Sequence, residues 1–287
     1  MTDSLKIDLH IHSTASDGTY SPCEVARKAK AAGLCAAALT DHDTISGVAE
    51  FLDECEKIGI EGISGVEISA RFSNEMHIIG LYVDGNDEAF KAKLENLRKA
   101  REIRNKKMLK LLRENGFDIT ESDIISEENG QTLSSTGRAH IARAMLNKGY
   151  VKSVNEAFVK YLKKGNCCYV ERITYSPCES IEMIKSAGGL AILAHPIFIS
   201  EDYDSLYPIL KELKSYGLDG VECYYNCYSE KFSKTCKKIC LELNLLMSGG
   251  SDFHGDNKPD IEIGSVSEGY VPYGVLQEMK ARKGSIG

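Results

Sequence analysis

Short apolar runs of residues that favour β-strands recur along the chain, and helical stretches lie between most of them. The seven runs are Leu5–Ile11, Ala36–Leu39, Gly62–Ile68, Met76–Val83, Leu190–Leu193, Gly220–Tyr224 and Leu245–Ser248. Strands that alternate with helices over most of a chain predict parallel strands covered by helices, in an open doubly wound sheet or in a barrel. A chain of 287 residues can bury a full core of this kind, so we expect one principal domain.

The alternation is interrupted between about residue 86 and residue 172. This stretch predicts three helices: Asp87 to about Glu114, Gly137 to Lys148, and Ser153 to Lys163. We interpret residues 87–171 as a helical insert in the principal domain. The first of these helices is rich in lysine and arginine, most of which we interpret as a solvated helix face, although one or two could contact a substrate phosphate.

Composition limits the class of protein. Hydrophobic residues make up 43% of the chain and charged residues 27%, as in ordinary globular proteins. There is no apolar run long enough to span a bilayer and no apolar signal segment, so we expect a cytoplasmic protein with neither a membrane partner nor an obligate protein partner. The ten cysteines match no disulfide framework or CxxC zinc pattern, which favours reduced thiols. A net charge of -7 argues against non-specific nucleic-acid binding by the whole surface.

Histidine and carboxylate side chains follow or interrupt the first three runs. His10 and His12 are two residues apart at the end of the first run, so they share one face of a strand and could bind a metal ion together. His42 follows the second run between two aspartates, which we interpret as turn formers or as partners that orient an imidazole. Glu67 interrupts the apolar third run, where a buried carboxylate needs a cation or strong hydrogen-bond donors.

Three later runs carry the same residue types. His77 lies near the start of the fourth run, where by itself it would be a core histidine, and His195 follows the fifth run. Asp252 and His254 are two residues apart after the last run, among small residues that allow close backbone approach. Six of the seven histidines therefore lie at or beside strand ends. Since the carboxyl ends of strands in α/β folds converge on one face, we expect these side chains to form one site.

With these residues in place, the sequence resembles the polymerase and histidinol phosphatase (PHP) family of metal-dependent phosphoesterases. The shared segments, from about residue 7 to about residue 255, are DLHIHSTASDGTYSP, LTDHDT, GVEIS, MHIIGLYVD, AHP and GGSDFHG. Within the family, the chain looks most similar to the subgroup that removes the 3'-phosphate from nucleoside 3',5'-bisphosphates and trims RNA or short oligonucleotides from the 5' end. TGRAH, from Thr136 to His140, is similar to that subgroup's GRPH motif, with Ala139 in place of proline.

The resemblance implies a distorted (β/α)7 barrel formed by residues 1–86 and 172–287, with the helical insert at residues 87–171. It also implies two or three divalent metal ions at the carboxyl ends of the strands. The matching motifs give three ligand sets: His10, His12, Glu67 and Asp252; Glu67, His77 and His195; and Asp17, His42 and His254. Asp17 stands where many relatives have histidine, and the local sequence by itself predicts a turn there. Such ligands suit manganese, iron or zinc, of which we expect manganese.

By the same resemblance, the chain is an enzyme that hydrolyses phosphate esters through a metal-activated hydroxide, with Asp252 among the catalytic residues. The expected substrate is a small phosphorylated molecule, a nucleoside 3',5'-bisphosphate or the 5' end of a short RNA. We expect Arg138 and Arg104 to bind substrate phosphate. His140 could contact substrate or donate a proton to the leaving oxygen, or it could cap its helix. Two alternatives remain open, a histidinol-phosphate phosphatase and a non-catalytic metal-binding module.

Overall fold

A computed structural model of the chain describes residues 5–73, 75–125 and 132–284. The strands are β1 (Lys6–Ile11), β2 (Leu34–Leu39), β3 (Glu61–Ala70), β4 (Met76–Leu81), β5 (Leu190–Leu193), β6 (Gly220–Tyr225), β7 (Leu246–Gly250) and β8 (Val271–Pro272). The α-helices are α1 (Pro22–Ala31), α2 (Val48–Ile58), α3 (Glu88–Glu114), α4 (Arg138–Asn147), α5 (Val154–Ala157), α6 (Pro177–Ser186), α7 (Tyr203–Ser215), α8 (Glu230–Leu243) and α9 (Tyr273–Gly284). The seven predicted strands are confirmed to within a few residues, and the short β8 is an addition to them.

The strands form a nearly closed barrel. Hydrogen-bonded neighbours follow the order β7-β6-β5-β4-β3-β2-β1-β8. The chain beyond β7 also meets β1, where the Asp252 amide donates to the His10 carbonyl at 2.9 Å and the His12 amide donates to the Phe253 carbonyl at 3.0 Å. These contacts close the sheet between the chain after β7 and β1, so the prediction of an α/β barrel is confirmed and the open sheet is excluded.

The fourth strand departs from the parallel arrangement that the alternation of strands and helices predicts. β4 runs antiparallel to both β3 and β5, whereas the pairs β1–β2, β2–β3, β5–β6 and β6–β7 are parallel. Only residues 71–75 separate β3 from β4, and a parallel connection needs a dozen or more residues. The reversal brings the start of β4, with His77, to the end of the barrel where the parallel strands finish.

Buried hydrophobic residues connect the strands to the surrounding helices. Val66, Ile78 and Leu193 belong to a core that includes α6, α7 and α8, and Leu39 packs with α1 and α2. Ile7 packs in a further core that includes α9. The helices therefore hold the strand ends in place, which a site assembled from several strands requires.

The segment predicted as an insert has a hydrophobic core of its own. The second half of α3 contributes Met108, Leu109 and Leu112 to this core, which also includes α4 and the residues after it. The first half of α3 packs on the barrel through Phe90 and Leu94. α3 is thus a helix of 27 residues that connects two cores, and the insert bounds 87–171 remain a prediction.

The basic residues of α3 fall into two groups. Lys99, Lys106 and Lys110 are exposed and pair with glutamates one turn away on the same helix, as a solvated helix face does. Arg101 and Arg104 are instead buried. Neither α3 nor another helix of the described chain combines the length and the apolar character that crossing a membrane requires.

Candidate metal centre and active site

The nine predicted metal ligands lie together at one end of the barrel. They are His10, His12, Asp17, His42, Glu67, His77, His195, Asp252 and His254, and we call them the histidine cluster. Ring centres of neighbouring histidines are 4.0 to 5.8 Å apart. Side chains from strands β1, β3 and β4 and from the loops after β1, β2, β5 and β7 therefore meet at one site, as the positions of the strand ends predict.

Glu67 lies at the centre of the histidine cluster. Its Oε1 is 2.9 Å from His77 Nδ1 and 2.9 Å from His195 Nε2, and its Oε2 is 2.9 Å from His42 Nδ1. The backbone supports this position, because the Glu67 amide donates to the Asp41 carbonyl at 3.1 Å. One buried carboxylate thus faces imidazoles on both of its oxygens, as a carboxylate that bridges two metal ions would.

His10, His12 and Asp252 have the spacing of metal ligands. The two Nε2 atoms are 3.1 Å apart, and Asp252 Oδ1 lies 3.5 Å from that of His10 and 3.3 Å from that of His12. Ligand bonds of about 2.0–2.2 Å place adjacent donor atoms about 3.0–3.5 Å apart around one ion. Each of these nitrogens is also 3.4 Å from a Glu67 oxygen. These four residues therefore fit the first predicted ligand set.

Asp17 is part of the cluster and also part of a turn. Its Oδ1 is 3.2 Å from His254 Nε2, and its Oδ2 is 3.7 Å from His42 Nε2. The Gly18 amide donates to the Ser13 carbonyl at 2.9 Å, so the turn that the local sequence predicts is present. The turn directs the carboxylate of Asp17 towards the histidines. Asp17 could hold a metal ion together with His12, His42 and His254.

Glu222, from outside the cluster, orients the imidazole of His10 and holds the backbone of His195. Glu222 Oε1 is 3.0 Å from His10 Nδ1, and Glu222 Oε2 accepts from the His195 amide at 2.7 Å. A partner at one ring nitrogen directs the other nitrogen towards the metal position. Glu222 was not among the predicted site residues. The signal was present, because Glu222 interrupts the predicted strand Gly220–Tyr224 just as Glu67 interrupts its own strand.

Two buried aspartates hold the loops that carry the ligands. Asp41 accepts from the Ser13 amide at 2.8 Å, from the Ser13 hydroxyl at 2.6 Å and from the Ser16 hydroxyl at 2.5 Å. Asp8 accepts from the Ser251 amide at 3.0 Å and from its hydroxyl at 2.6 Å. The loops after β1 and β7 are thereby tied to neighbouring strands, and Asp41 supports the site as a hydrogen-bond acceptor.

Backbone strain is concentrated at the site. Asp43, His195 and Asp252 have φ values of 55°, 28° and 54°, in the left-handed region. Such conformations cost of the order of 1–3 kcal/mol each and persist where the surrounding structure imposes them. A β-carbon at Gly250 would lie 2.5 Å from His10 atoms, so β7 can approach β1 this closely only with glycine there.

The charges of the cluster are strongly coupled. Burial opposes the ionisation of Glu67, but His42 and His77 more than offset it and hold the pKa of Glu67 well below its usual range. Burial also disfavours protonation of His12, yet Asp252 and Glu67 raise its pKa to about 9. A proton on His12 thus balances carboxylate charge, and a divalent cation would displace it on binding.

A second cluster of buried charged groups is dominated by positive charge. Asp43 accepts hydrogen bonds from Arg101 and, at 2.6 Å, from Nη1 of Arg172. Arg104 is 7% exposed, and its Nε has no hydrogen-bond partner among the described residues. Burial and the charges of Arg101 and Arg172 hold the pKa of Arg104 well below its usual value. We call Arg101, Arg104 and Arg172 the arginine cluster. Asp43 pairs with Arg101 and Arg172 but not with Arg104, so the cluster has excess positive charge and would favour an anion.

One cavity of about 760 Å³ adjoins both clusters. Its wall includes Asp17, His42 and His77 from the histidine cluster and Arg101, Arg104 and Arg172 from the arginine cluster. The two clusters are close to each other, since a β-carbon placed on Gly137 would lie 3.5 Å from Arg101 Nη1 and 3.9 Å from Asp17 Oδ2. A single small molecule could therefore contact both.

The predicted substrate residues differ in position. Arg104 and Arg138 line the cavity, and the Arg138 guanidinium lies 5.8 Å from the Phe158 ring and 6.0 Å from the Tyr169 ring. His140 is not among the residues that line the described cavity, and its Nδ1 accepts from the Gly137 amide at 3.1 Å. This contact is a helix cap, which was the alternative interpretation of His140, and its contact with substrate remains a prediction.

Comparison with known proteins identifies the family. The model of the PHP domain matches residues 8–172, more than half of the chain. This chain belongs to the PHP family. A 5'-3' exoribonuclease of Haemophilus influenzae is 34% identical over 253 residues, which are 87% of this chain and 90% of the relative. A 3',5'-nucleoside bisphosphate phosphatase of Chromobacterium violaceum is 31% identical over 268 residues, 91% of this PHP protein and 92% of the relative.

Solved structures agree with the PHP assignment. An amidohydrolase from Chromobacterium violaceum, with bound sulfate and no metal, has a TM-score of 0.86 at 29% identity over 96% of each chain. A protein from Bifidobacterium adolescentis, provisionally assigned as a metal-dependent phosphoesterase, has a TM-score of 0.84 at 28% identity over 98% of each chain. This PHP protein is a metal-dependent phosphoesterase, and the alternative of a non-catalytic module is set aside. Its histidine cluster contains groups able to bind metal ions.

Proposed function

We propose that this PHP enzyme removes the 3'-phosphate of nucleoside 3',5'-bisphosphates and also acts on the 5' end of short RNA. One observation carries the proposal: a single cavity adjoins the histidine cluster and the arginine cluster. A substrate with two phosphate groups could place one of them at each cluster. Two relatives, named as a nucleoside bisphosphate phosphatase and a 5'-3' exoribonuclease, agree with such a substrate.

The arginine cluster is the reason to expect a second phosphate. Burying a charged group without a partner is unfavourable, and Arg104 has no carboxylate within ion-pair distance among the described residues. Arg101 and Arg172 share the single carboxylate of Asp43. A phosphate could accept several hydrogen bonds from these planar guanidinium groups at once. Arg138, between two aromatic rings, adds positive charge to the same cavity.

The phosphate that reacts would lie at the histidine cluster. The three predicted ligand sets would hold up to three ions: His10, His12, Glu67 and Asp252; Glu67, His77 and His195; and Asp17, His42 and His254. Divalent ions lower the pKa of bound water and neutralise charge on the attacking and leaving oxygens of a phosphate ester. Imidazole and carboxylate ligands fit manganese, with iron and zinc as alternatives.

Neighbouring side chains would hold Asp252 in position as a metal ligand. Lys258 Nζ lies 2.5 Å from Asp252 Oδ2, and the Tyr225 hydroxyl donates to the same oxygen at 2.6 Å. The other oxygen, Oδ1, faces the imidazoles of His10 and His12. The two contacts fix the carboxylate and keep one of its oxygens directed into the histidine cluster.

Two other compounds are alternatives to a nucleotide as the substrate. Histidinol phosphate carries an amine, and its positive charge would meet the guanidinium groups of the cavity, which disfavours it. A relative from Eggerthella lenta, 28% identical over 252 residues, is named phosphoribosyl 1,2-cyclic phosphate 1,2-diphosphodiesterase. A substrate of that kind also presents two phosphate groups, so charge alone does not separate it from a nucleoside bisphosphate.

The proposal is tested by phosphate release from a panel of substrates. Manganese-loaded protein is given adenosine 3',5'-bisphosphate, 3'-AMP, 5'-AMP, histidinol phosphate, phosphoribosyl 1,2-cyclic phosphate or a short 5'-phosphorylated RNA, with RNA cleavage followed by electrophoresis. We expect kcat/KM for the bisphosphate to exceed that for either monophosphate. Equal turnover of mono- and bisphosphates, or a preference for histidinol phosphate, would contradict the proposal.

A further inference from the structure

Phe198 is an exposed aromatic side chain in the wall of this charged cavity. Of the eight phenylalanines, all of which lie in the described ranges, it alone is exposed, with 47% of its surface accessible. Leaving such a ring in solvent forgoes the hydrophobic free energy that its burial would provide. Neither the metal ligands nor the proposed phosphate contacts include this ring.

The ring of Phe198 is held beside the histidine cluster. It ends the short 3-10 turn Pro196–Phe198, and its amide donates to the His195 carbonyl at 3.1 Å. The ring centre is 5.0 Å from that of His195 and 6.4 Å from that of Tyr225, the latter in an edge-to-face arrangement. Packing against these two rings fixes Phe198 on one side, while its exposed surface adjoins the cavity.

The other aromatic rings of the cavity wall have partners. Phe158 and Tyr169 flank the Arg138 guanidinium. Phe72 is partly buried against the barrel core. Phe198 is thus the aromatic residue of the wall that combines an exposed surface with direct contact to the histidine cluster.

We propose that Phe198 is the surface on which the nucleobase of the substrate stacks. The inference rests on the proposed function and adds that the enzyme recognises a base as well as two phosphates. In a nucleoside 3',5'-bisphosphate one ribose carries the base and both phosphates, so the base stays near the reacting phosphate, and Phe198 is near His195. Every base has a π-face, so stacking should tolerate all four bases. A phosphoribosyl cyclic phosphate has no base to stack.

The test compares a nucleotide with its baseless analogue. KM and kcat are measured for adenosine 3',5'-bisphosphate and 1-deoxyribose 3,5-bisphosphate, with wild-type protein, Phe198→Leu and Phe198→Tyr. Leucine keeps an apolar side chain but removes the ring, so it should raise KM for the nucleotide about 5- to 150-fold. The ratio of the two KM values should approach one in Phe198→Leu. Tyrosine retains a ring and should restore most of the preference for the nucleotide.

A matched variant and three outcomes make the test decisive. Ile173 is 82% exposed and does not line the cavity, so Ile173→Ala should leave both KM values unchanged. An equal fall in kcat on both compounds in Phe198→Leu would mean that the ring only supports His195, and would overturn the inference. Equal kcat/KM for both compounds in the wild type would overturn it while leaving a bisphosphate substrate in place. A wild-type preference for monophosphates would overturn the proposed function and this inference together.

Discussion

The two clusters of buried charge differ in sign and in the elements that build them. The histidine cluster gathers carboxylates and imidazoles at the strand ends of the barrel, and it suits cations. The arginine cluster gathers two guanidinium groups from α3 and one from residue 172 with the single carboxylate of Asp43, which pairs with only two of them, and it suits an anion. The difference teaches that one cavity offers separate buried counter-charges for cations and for an anion, so each cluster can be disabled on its own.

The largest effect is expected when the histidine cluster loses its central carboxylate. Glu67→Gln keeps the size of the side chain but removes a negative charge that faces His42, His77 and His195. Changes to residues that only support metal ligands typically cost about 10- to 100-fold, so loss of a bridging ligand should lower kcat/KM by more than about 100-fold. Phosphate release and bound manganese should both be measured.

The matched control for this change lies on the same strand. Glu61 begins β3, where it pairs with Lys280 away from the cluster, and Glu61→Gln should retain activity within about twofold. Comparable losses in both variants would mean that any charge lost from β3 damages the protein. Near-normal turnover in Glu67→Gln would remove Glu67 from the metal centre.

An intermediate effect is expected from the arginine cluster, and it should depend on the substrate. Arg104→Leu should raise KM for adenosine 3',5'-bisphosphate roughly 10- to 100-fold, because a charged hydrogen bond to phosphate is lost. KM for 3'-AMP should change far less. The free energy of unfolding should rise, because a buried cation close to Arg101 and Arg172 is removed.

A surface position on the same helix provides the control. Lys107 is exposed on α3, and Lys107→Leu should alter KM for neither substrate. If Arg104→Leu raised KM equally for mono- and bisphosphates, the arginine cluster would not be the second phosphate site. Denaturant unfolding of the same proteins separates the stability effect from the effect on binding.

The smallest effect is expected from a residue that acts through the ligands. Glu222→Gln should weaken manganese binding by about tenfold, because Glu222 orients His10 and holds the His195 amide. Manganese titration of activity, with metal content as the second readout, measures this change. Restoration of full activity at high manganese would identify an orienting role, whereas unchanged manganese affinity would contradict it.

Much of the barrel and of its metal face could be predicted from the sequence because the signals are local. A histidine two residues from another, or a carboxylate within an apolar run, is visible without knowledge of the fold. The predicted helix from Asp87 to about Glu114 agrees with α3, whose amino-terminal cap is Asp87, and such a cap is also a local feature. The antiparallel direction of β4 was not predicted, although the short connection of residues 71–75 between β3 and β4 is also a local signal.

The arginine cluster could not be predicted in the same way. The sequence predicts that one or two basic residues of α3 could contact substrate, but in sequence Arg101 and Arg104 look like their neighbours on that helix. Only packing shows that they are buried beside Arg172, which lies far along the chain. Phe198 is a similar case, because exposure of a side chain follows from tertiary structure and not from its neighbours in sequence.

The most direct test of the account is removal and return of the metal. The protein is stripped with a chelator, its metal content is verified by mass spectrometry, and phosphate release from adenosine 3',5'-bisphosphate is followed as manganese is added back. We expect no turnover by the stripped protein and full recovery when two or three equivalents are bound. Turnover by protein verified to be free of metal would contradict the account.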